Sequence, residues 1–561
     1  MVSSILFNKS SANLYTDADA TKLAKKLDGL PLALVTAGAY LKQASIGFSD
    51  YLRLYEKSWA KLQKTSPALS SYEDRTLYST WHISFEHVER RNILSAQLLR
   101  LWAYFDNQDL WFELLQHSNS KDPHWIQELV EDELSFHRVI RILSDHGLVE
   151  VDKSSSELLE SQGYSIHGCV HSWTVHVLNQ EWDYSLARVA LKSVALHIPG
   201  KQANRPWLTQ RRLLQHAARC SHIVLNGLVP DNGMAGVYFS LGYLFNDQSK
   251  LVEAEQMYER ALRGYEKAWG PEHMSTLNTV NNLGLLYTDQ GKLAEAEQMY
   301  ERALRGREKA WGPEHTSTLD TVNNLGLLYA DQGKLAEAEQ MYERALRGRE
   351  KAWGPEHTST LDTVNNLGIL YKNQGKLAEA EQMYERALRG KEKAWGPEHT
   401  STLSTVNNLG ILYKNQGKLA EAEQMYERAL RGREKAWGPE HTSTLDTVNN
   451  LGILYKNQGK LAEAEQMYER ALRGYETALG ADNITTYIPA LNTLWGLGSL
   501  FKLQADFTKA RIVYSKAFAG YEKIVGPEHL KRQSLQGILQ DLETITEGEQ
   551  MKGREEPASD P

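Results

Sequence analysis

Cysteine is almost missing from this chain: Cys169 and Cys220 are the only two in 561 residues. That scarcity excludes a disulfide framework and fits a reducing compartment. Long apolar runs are missing as well. The longest, "LPLALVTAGAYL", is too short to cross a bilayer and reads as a buried helix, so no membrane partner is expected. The start "MVSSILFNKSS" has neither the charged lead nor the apolar core of a signal peptide, and a cytoplasmic location follows as the expectation. Basic charge is not in excess: the net charge is -8 at pH 7, which argues against a nucleic-acid partner. Catalytic signatures are absent too. There is no H-E-x-x-H helix, no nucleophile elbow and no G-x-x-x-x-G-K-[ST] loop to cradle phosphates. The recurrent "QGKL" is no substitute, because it lacks the earlier glycine and the hydroxyl residue. The chain is therefore expected to be non-enzymatic, with no metal and no cofactor of its own.

What is present is repetition. Trp269, Trp311, Trp353, Trp395 and Trp437 mark a strict 42-residue period. The unit reads "TVNNLGLLYADQGKLAEAEQMYERALRGREKAWGPEHTSTLD", with weaker copies at Val237 and near Leu491. Each unit predicts two helices. Val322, Leu325, Gly326 and Tyr329 fall at i, i+3, i+4 and i+7 on one stripe, and Gly333 breaks it. Leu335, Ala338, Met341, Tyr342, Ala345 and Leu346 form the stripe of the second helix, which ends at Trp353 before Gly354 and Pro355. Ser317 or Thr318 is the expected N-cap of the next helix. The Trp series closes the second apolar stripe and is expected to wedge into the core. The "GPEH" histidines (His273, His315, His357, His399, His441 and His529) recur once per unit, which suits a loop or capping role better than a metal shell.

Leu325, Gly326, Tyr329, Ala338, Tyr342 and Ala345 carry a resemblance to the tetratricopeptide repeat, whose usual unit is shorter. The longer unit resembles that of kinesin light chains. The resemblance implies about seven helix pairs between 234 and 526, wound as a superhelix with the first helices lining its concave groove. The array proper is expected over 231–529, followed by a terminal helix and a disordered tail over 530–561, the tail from about Thr546.

On a helical wheel the five clear first helices differ along one arc opposite the apolar stripe. Before "TVNN" stand Asn278, Asp320, Asp362, Ser404 and Asp446. After Leu-Gly stand Leu285, Leu327, Ile369, Ile411 and Ile453. After Tyr the pair changes from Thr288-Asp289 and Ala330-Asp331 to Lys372-Asn373, Lys414-Asn415 and Lys456-Asn457. Drift of solvated positions would produce such differences, and so would diversification at a ligand surface. The "EAEQMYER" face is the same in every clear unit, which favours the second reading. Asn281, Asn323, Asn365, Asn407 and Asn449 then form a ladder of amides suited to an extended peptide backbone. Lys372, Lys414 and Lys456 suit an acidic segment of a protein or peptide partner. No feature of the sequence bears on oligomerisation.

Residues 1–230 lack the period. Within 1–66, Gly29-Leu30-Pro31-Leu32-Ala33 resembles the GLPLA motif of the NB-ARC family of nucleotide-switched proteins, which includes fungal NLR receptors. Over 67–183, "TLYSTWHISFEHVERRNILSAQLLRLWAYFDNQDLWFELL" and "FHRVIRILSDHGLVEV" resemble that family's winged helix and wing. "YSIHGCVHSW" stands where the family has Met-His-Asp, with Ile166 for the Met, His167 matching and Gly168 for the Asp. The resemblance implies ADP contacts at Pro31 and His167. With no phosphate loop in the chain, ADP would bind only if an upstream nucleotide-binding half exists, and otherwise both residues are expected in the core. Residues 184–230 read as a helical linker. The resulting expectation is a mostly α protein, a recognition and scaffold part of a fungal NLR-like (STAND) receptor that binds partners in its repeat groove. The alternative is a kinesin-light-chain-like cargo adaptor, which the lack of a sustained heptad before Val237 disfavours. A DNA-binding winged helix is disfavoured because 81–151 has no dominant basic helix.

Overall fold

The computed structural model describes residues 18–552 except 28–29, 66–71, 117–121, 153–160, 201–205, 249, 481–483 and 526–529. Gly29, Gly526 and His529 lie outside the described residues. The chain divides into two compact units, Met1–Phe245 and Asn246–Pro561.

In the first unit the helices Ala18–Lys26, Pro31–Ala44 and Phe48–Thr65 share one core of Leu23, Leu27, Leu34, Tyr40 and Tyr51, with Ile83 from Tyr72–Arg91. Pro31 opens its helix at the first turn, where no backbone N–H is needed. Asn92 and Asp132 cap the helices Ile93–Trp102 and Glu133–Asp145 by accepting from Ser95 N and Ser135 N. A short antiparallel hairpin follows, Glu150–Asp152 against Gly163–Ser165, with Val151 facing Tyr164 and an isolated bridge from Leu110. The linker is helical at Tyr184–Leu196 and Pro206–Leu225. Arg212 of the linker clamps Asp109 with two bonds of 2.6 and 2.7 Å, and its guanidinium lies over the Trp111 ring.

The array alternates 16-residue first helices, such as Thr316–Asp331, with 19-residue second helices, such as Leu335–Trp353. Seven helix pairs run from 235 to 525 among the described residues. Of the expected stripes, Val322, Leu325, Gly326, Ala338, Tyr342 and Ala345 are buried, while Tyr329, Leu335, Met341 and Leu346 are half-buried; Leu328, outside the expected stripe, is buried with them. A Cβ on Gly326 would stand 2.9 Å from the Tyr342 ring, so only glycine lets the two helices close on that ring.

Three expectations are corrected. The N-cap is the histidine, not Ser317 or Thr318: His315 Nδ1 accepts from Ser317 N at 3.2 Å, while Thr318 Oγ1 turns back to Gly312 O. The same holds at His273, His357, His399 and His441. The Trp series does not wedge into the core. Trp269 is 56% exposed, and each Trp lies against the capping histidine, at 4.5 Å for Trp395 and His399. Residue 353 ends its helix, and a last-turn side chain there reaches past the apolar stripe. Finally, the terminal helix runs Leu530–Lys552, beyond the point at Thr546 where disorder is expected.

Candidate partner-binding groove

The inner side of the array follows from how its units touch. Successive first helices approach one another directly. Successive second helices meet through long side chains, as where Arg344 reaches Glu308 and Arg386 reaches Glu350. Short contacts on one side and long ones on the other bend the stack, so the first helices line the inner curve.

Unit–unit bonds also explain which positions do not vary. Gln332 Nε2 donates to Glu297 Oε2 of the preceding unit at 3.0 Å, and Lys334 Nζ joins it at 3.4 Å. Both partners repeat at Gln374, Lys376 and Glu339. The constant "QGK" and "EAE" are thus two halves of one junction. This constancy has a structural cause, whereas at the variable pair after Tyr the unit–unit bond is that of Lys456 to Ser499.

The asparagine ladder is partly committed within the array. Asn281 Oδ1 accepts from Thr321 Oγ1 and Asn324 Nδ2 of the next unit, at 3.2 and 3.4 Å. Asn323, Asn365 and Asn407 accept from Asn366, Asn408 and Asn450 in the same way. Their carbonyls therefore cannot all serve a peptide backbone, contrary to the ladder expected from sequence. At Asn449 the series ends. Gly496 stands where the donor asparagine would, and Asn449 Oδ1 is buried without a hydrogen-bond partner in the protein.

The carboxylates before "TVNN" are committed too. Asp320 pairs with Arg349, Asp362 with Lys391 at 2.7 Å, and Asp446 accepts from the Tyr475 hydroxyl at 2.6 Å. Asp320 remains 55% exposed while Arg349 is only 6% exposed, so a buried cation is held by a half-open anion. Arg349 Nη1 also donates to Ser359 O and Thr363 Oγ1, tying its own first helix to the next unit's. Sequence reasoning missed this bolt. Its signal was the matched drift of two positions 29 residues apart: Asn278 with Arg307, Asp362 with Lys391, Ser404 with Arg433 and Asp446 with Tyr475.

Lys372, Lys414 and Lys456 are half-buried on the inner side, while Asn373, Asn415 and Asn457 are exposed. Burial lowers the pKa of all three lysines, and Lys414 is lowered further by its two neighbours, so the three form one row. Lys456 Nζ reaches Ser499 Oγ at 3.1 Å. In the earlier units the same stretch carries Asp289 and Asp331. Asp289 keeps an exposed surface, and partial desolvation on the inner side together with the neighbouring Asp331 pushes its carboxyl up to about 6. The aliphatic residue after Leu-Gly runs beside the row, with Leu327 38% exposed.

In the first unit Pro31 and His167 are both exposed, which corrects their expected place in the core. Pro31 sits on a helix first turn, and His167 caps Gly168–Trp173 by accepting from Cys169 N. The half-buried histidine of that segment is His171, bonded to Phe105 O, and partial burial lowers its pKa.

A tetratricopeptide-repeat family profile matches 233–309, 312–393 and 396–477. These are tetratricopeptide repeats. A curated relative, a nucleotide-binding leucine-rich repeat (NLR)-like protein of Hyaloscypha variabilis, is 31% identical over 292 residues, 48% of this chain and 26% of the relative. The chain thus spans about a quarter of that relative's length. Among solved structures, a Podosopora anserina putative kinesin light chain with nearly identical TPR-like repeats is 25% identical, with 35% of this chain and 94% of that one covered (TM-score 0.30). A Pyrococcus horikoshii STAND protein with a tetratricopeptide repeat sensor is 16% identical, with 92% and 74% covered (TM-score 0.36). Among the described residues no helix of the tetratricopeptide array or the first unit is long and apolar enough to cross a membrane.

Proposed function

We propose that the chain is the recognition and scaffold part of an NLR-like protein, and that its tetratricopeptide array holds an extended segment of a protein partner in the inner groove. One observation carries this reading. The constant "QGK" and "EAE" positions are committed to unit–unit bonds, and the units differ at the pair after Tyr, where Asp289, Asp331, Lys372 and Lys414 have no opposite charge within 4.0 Å. The role is non-catalytic, in a cytoplasmic setting, and the Lys372, Lys414 and Lys456 row takes acidic side chains of the partner. Pro31 and His167, both exposed, are open to ADP if the chain belongs to a longer protein with a nucleotide-binding half. The similarity to an NLR-like protein supports that context.

The test changes Lys372, Lys414 and Lys456 together to the Thr or Ala of the earlier copies. Those residues already fit the helix, so folding is retained. Co-purification of native partners should fall, and the loss should be steeper at low salt. Unchanged capture at every salt concentration would refute the lysine row as a contact.

A further inference from the structure

Charge pairing sets the groove residues apart in the middle of the array. In units 316–357 and 358–399 every charged side chain but two has an opposite charge within 4.0 Å. One exception in each is a glutamate, Glu337 or Glu379, in the first turn of a helix, where the helix dipole favours it. The other is the groove residue, Asp331 in the first case and Lys372 in the second. The unpaired charges change sign between adjacent units: Asp289 and Asp331 come first, then Lys372, Lys414 and Lys456. Like charges sit beside like, since Asp331 acts against Asp289 and Lys372 and Lys456 act against Lys414. Two units that pair nearly all their other charges leave their groove charge unmet, and Asp289, Lys414 and Lys456 are likewise without an opposite charge within 4.0 Å.

We propose that the groove takes an extended peptide segment whose own charge reverses along its length, basic over Asp289 and Asp331 and acidic over Lys372, Lys414 and Lys456. This rests on the groove-binding reading above and adds the ligand's polarity and direction to it. With helix axes roughly 8–10 Å apart, the five positions span roughly 32–40 Å, which an extended chain at about 3.3 Å per residue covers with about 10–12 residues. The reversal falls within one unit step, so the ligand's basic and acidic blocks lie about three residues apart. Asp289 and Asp331 thereby reject a uniformly acidic segment that the lysines alone would accept.

The probes are fluorescent peptides on the full chain, read by anisotropy: a Lys block then a Glu block, the reverse order, strictly alternating Lys and Glu of equal composition, and Glu alone. One block order should bind roughly tenfold tighter than the alternating peptide, as five weak ion pairs acting together would give. A chain with Thr288→Lys, Asp289→Asn, Ala330→Lys and Asp331→Asn carries the Lys-Asn pair of the later units throughout, so its fold is retained. It should lose the block preference and bind Glu alone best. Equal binding of the block, alternating and Glu-only peptides would overturn the charge reversal. If that binding still weakened with the triple lysine change, the groove reading would survive without it. Binding indifferent to both sets of changes, or no binding of any peptide, would overturn both.

Discussion

At the scale of the residue, Arg349 shows how much one side chain can hold. Its guanidinium joins Asp320, Ser359 O and Thr363 Oγ1 while almost wholly buried. Arg349→Ala strands those acceptors, and urea unfolding should show a loss of about 2 kcal/mol, the scale of a charge-assisted hydrogen bond left unmade. Arg349→Tyr should recover part of that loss, because Tyr475 already bonds Asp446 across the same spacing. Asp289 supplies the pH-dependent case. Its carboxyl is raised from 3.8 to about 6, so ionising it costs folding free energy. The penalty is absent below the unfolded pKa, grows as pH rises and is complete above about 6. Asp289→Asn should therefore raise the melting temperature at pH 7 and leave it nearly unchanged near pH 4, which scanning calorimetry at both values would check.

At the scale of the element, the helices were legible because their signals are local. Apolar spacing, Gly333 at φ +75° and Gly354 at φ +92° place both ends of each helix within the unit. The cap identity was not legible, since a ring nitrogen competes with hydroxyls that are statistically better caps. His315 wins because Thr318 is drawn to Gly312 O. Nor was the Trp placement legible: a stripe continued to its last turn gives no sign of where the neighbouring helix ends. Helix–helix closure gives a further prediction. Gly326→Ala puts a methyl against the Tyr342 ring, and overpacking of about 1–3 kcal/mol should outweigh the gain in helix propensity. Chemical denaturation should show a net loss, unlike Gly→Ala at an open helical site.

At the scale of the whole molecule, the array behaves as a stack of nearest-neighbour junctions. The junction of Gln332, Lys334 and Glu297 is the same as that of Gln374, Lys376 and Glu339. Excision of residues 358–399 joins chemically equivalent surfaces. The shortened chain should stay folded, with unchanged helicity per residue by circular dichroism and a melt only slightly lower. Removal of 488–552 should be far more damaging, because it uncovers Tyr468, which packs with Leu491, Leu497, Leu500 and Tyr514 in one core.

The sequence by itself determined the helical pairs, the length of the unit and the arc along which units differ. These follow from 3.6-residue periodicity, glycine placement and side-by-side copies, all visible within one unit of chain. Tertiary structure alone decided what the arc is free to do. Asn281 lost its carbonyl to Thr321 and Asn324, Asp320 was taken by Arg349, and Asp289, Asp331 and the three lysines were left without an opposite charge. The physical reason is distance along the chain: these partners lie 29 to 43 residues apart. Only the stacking of the units brings them within reach.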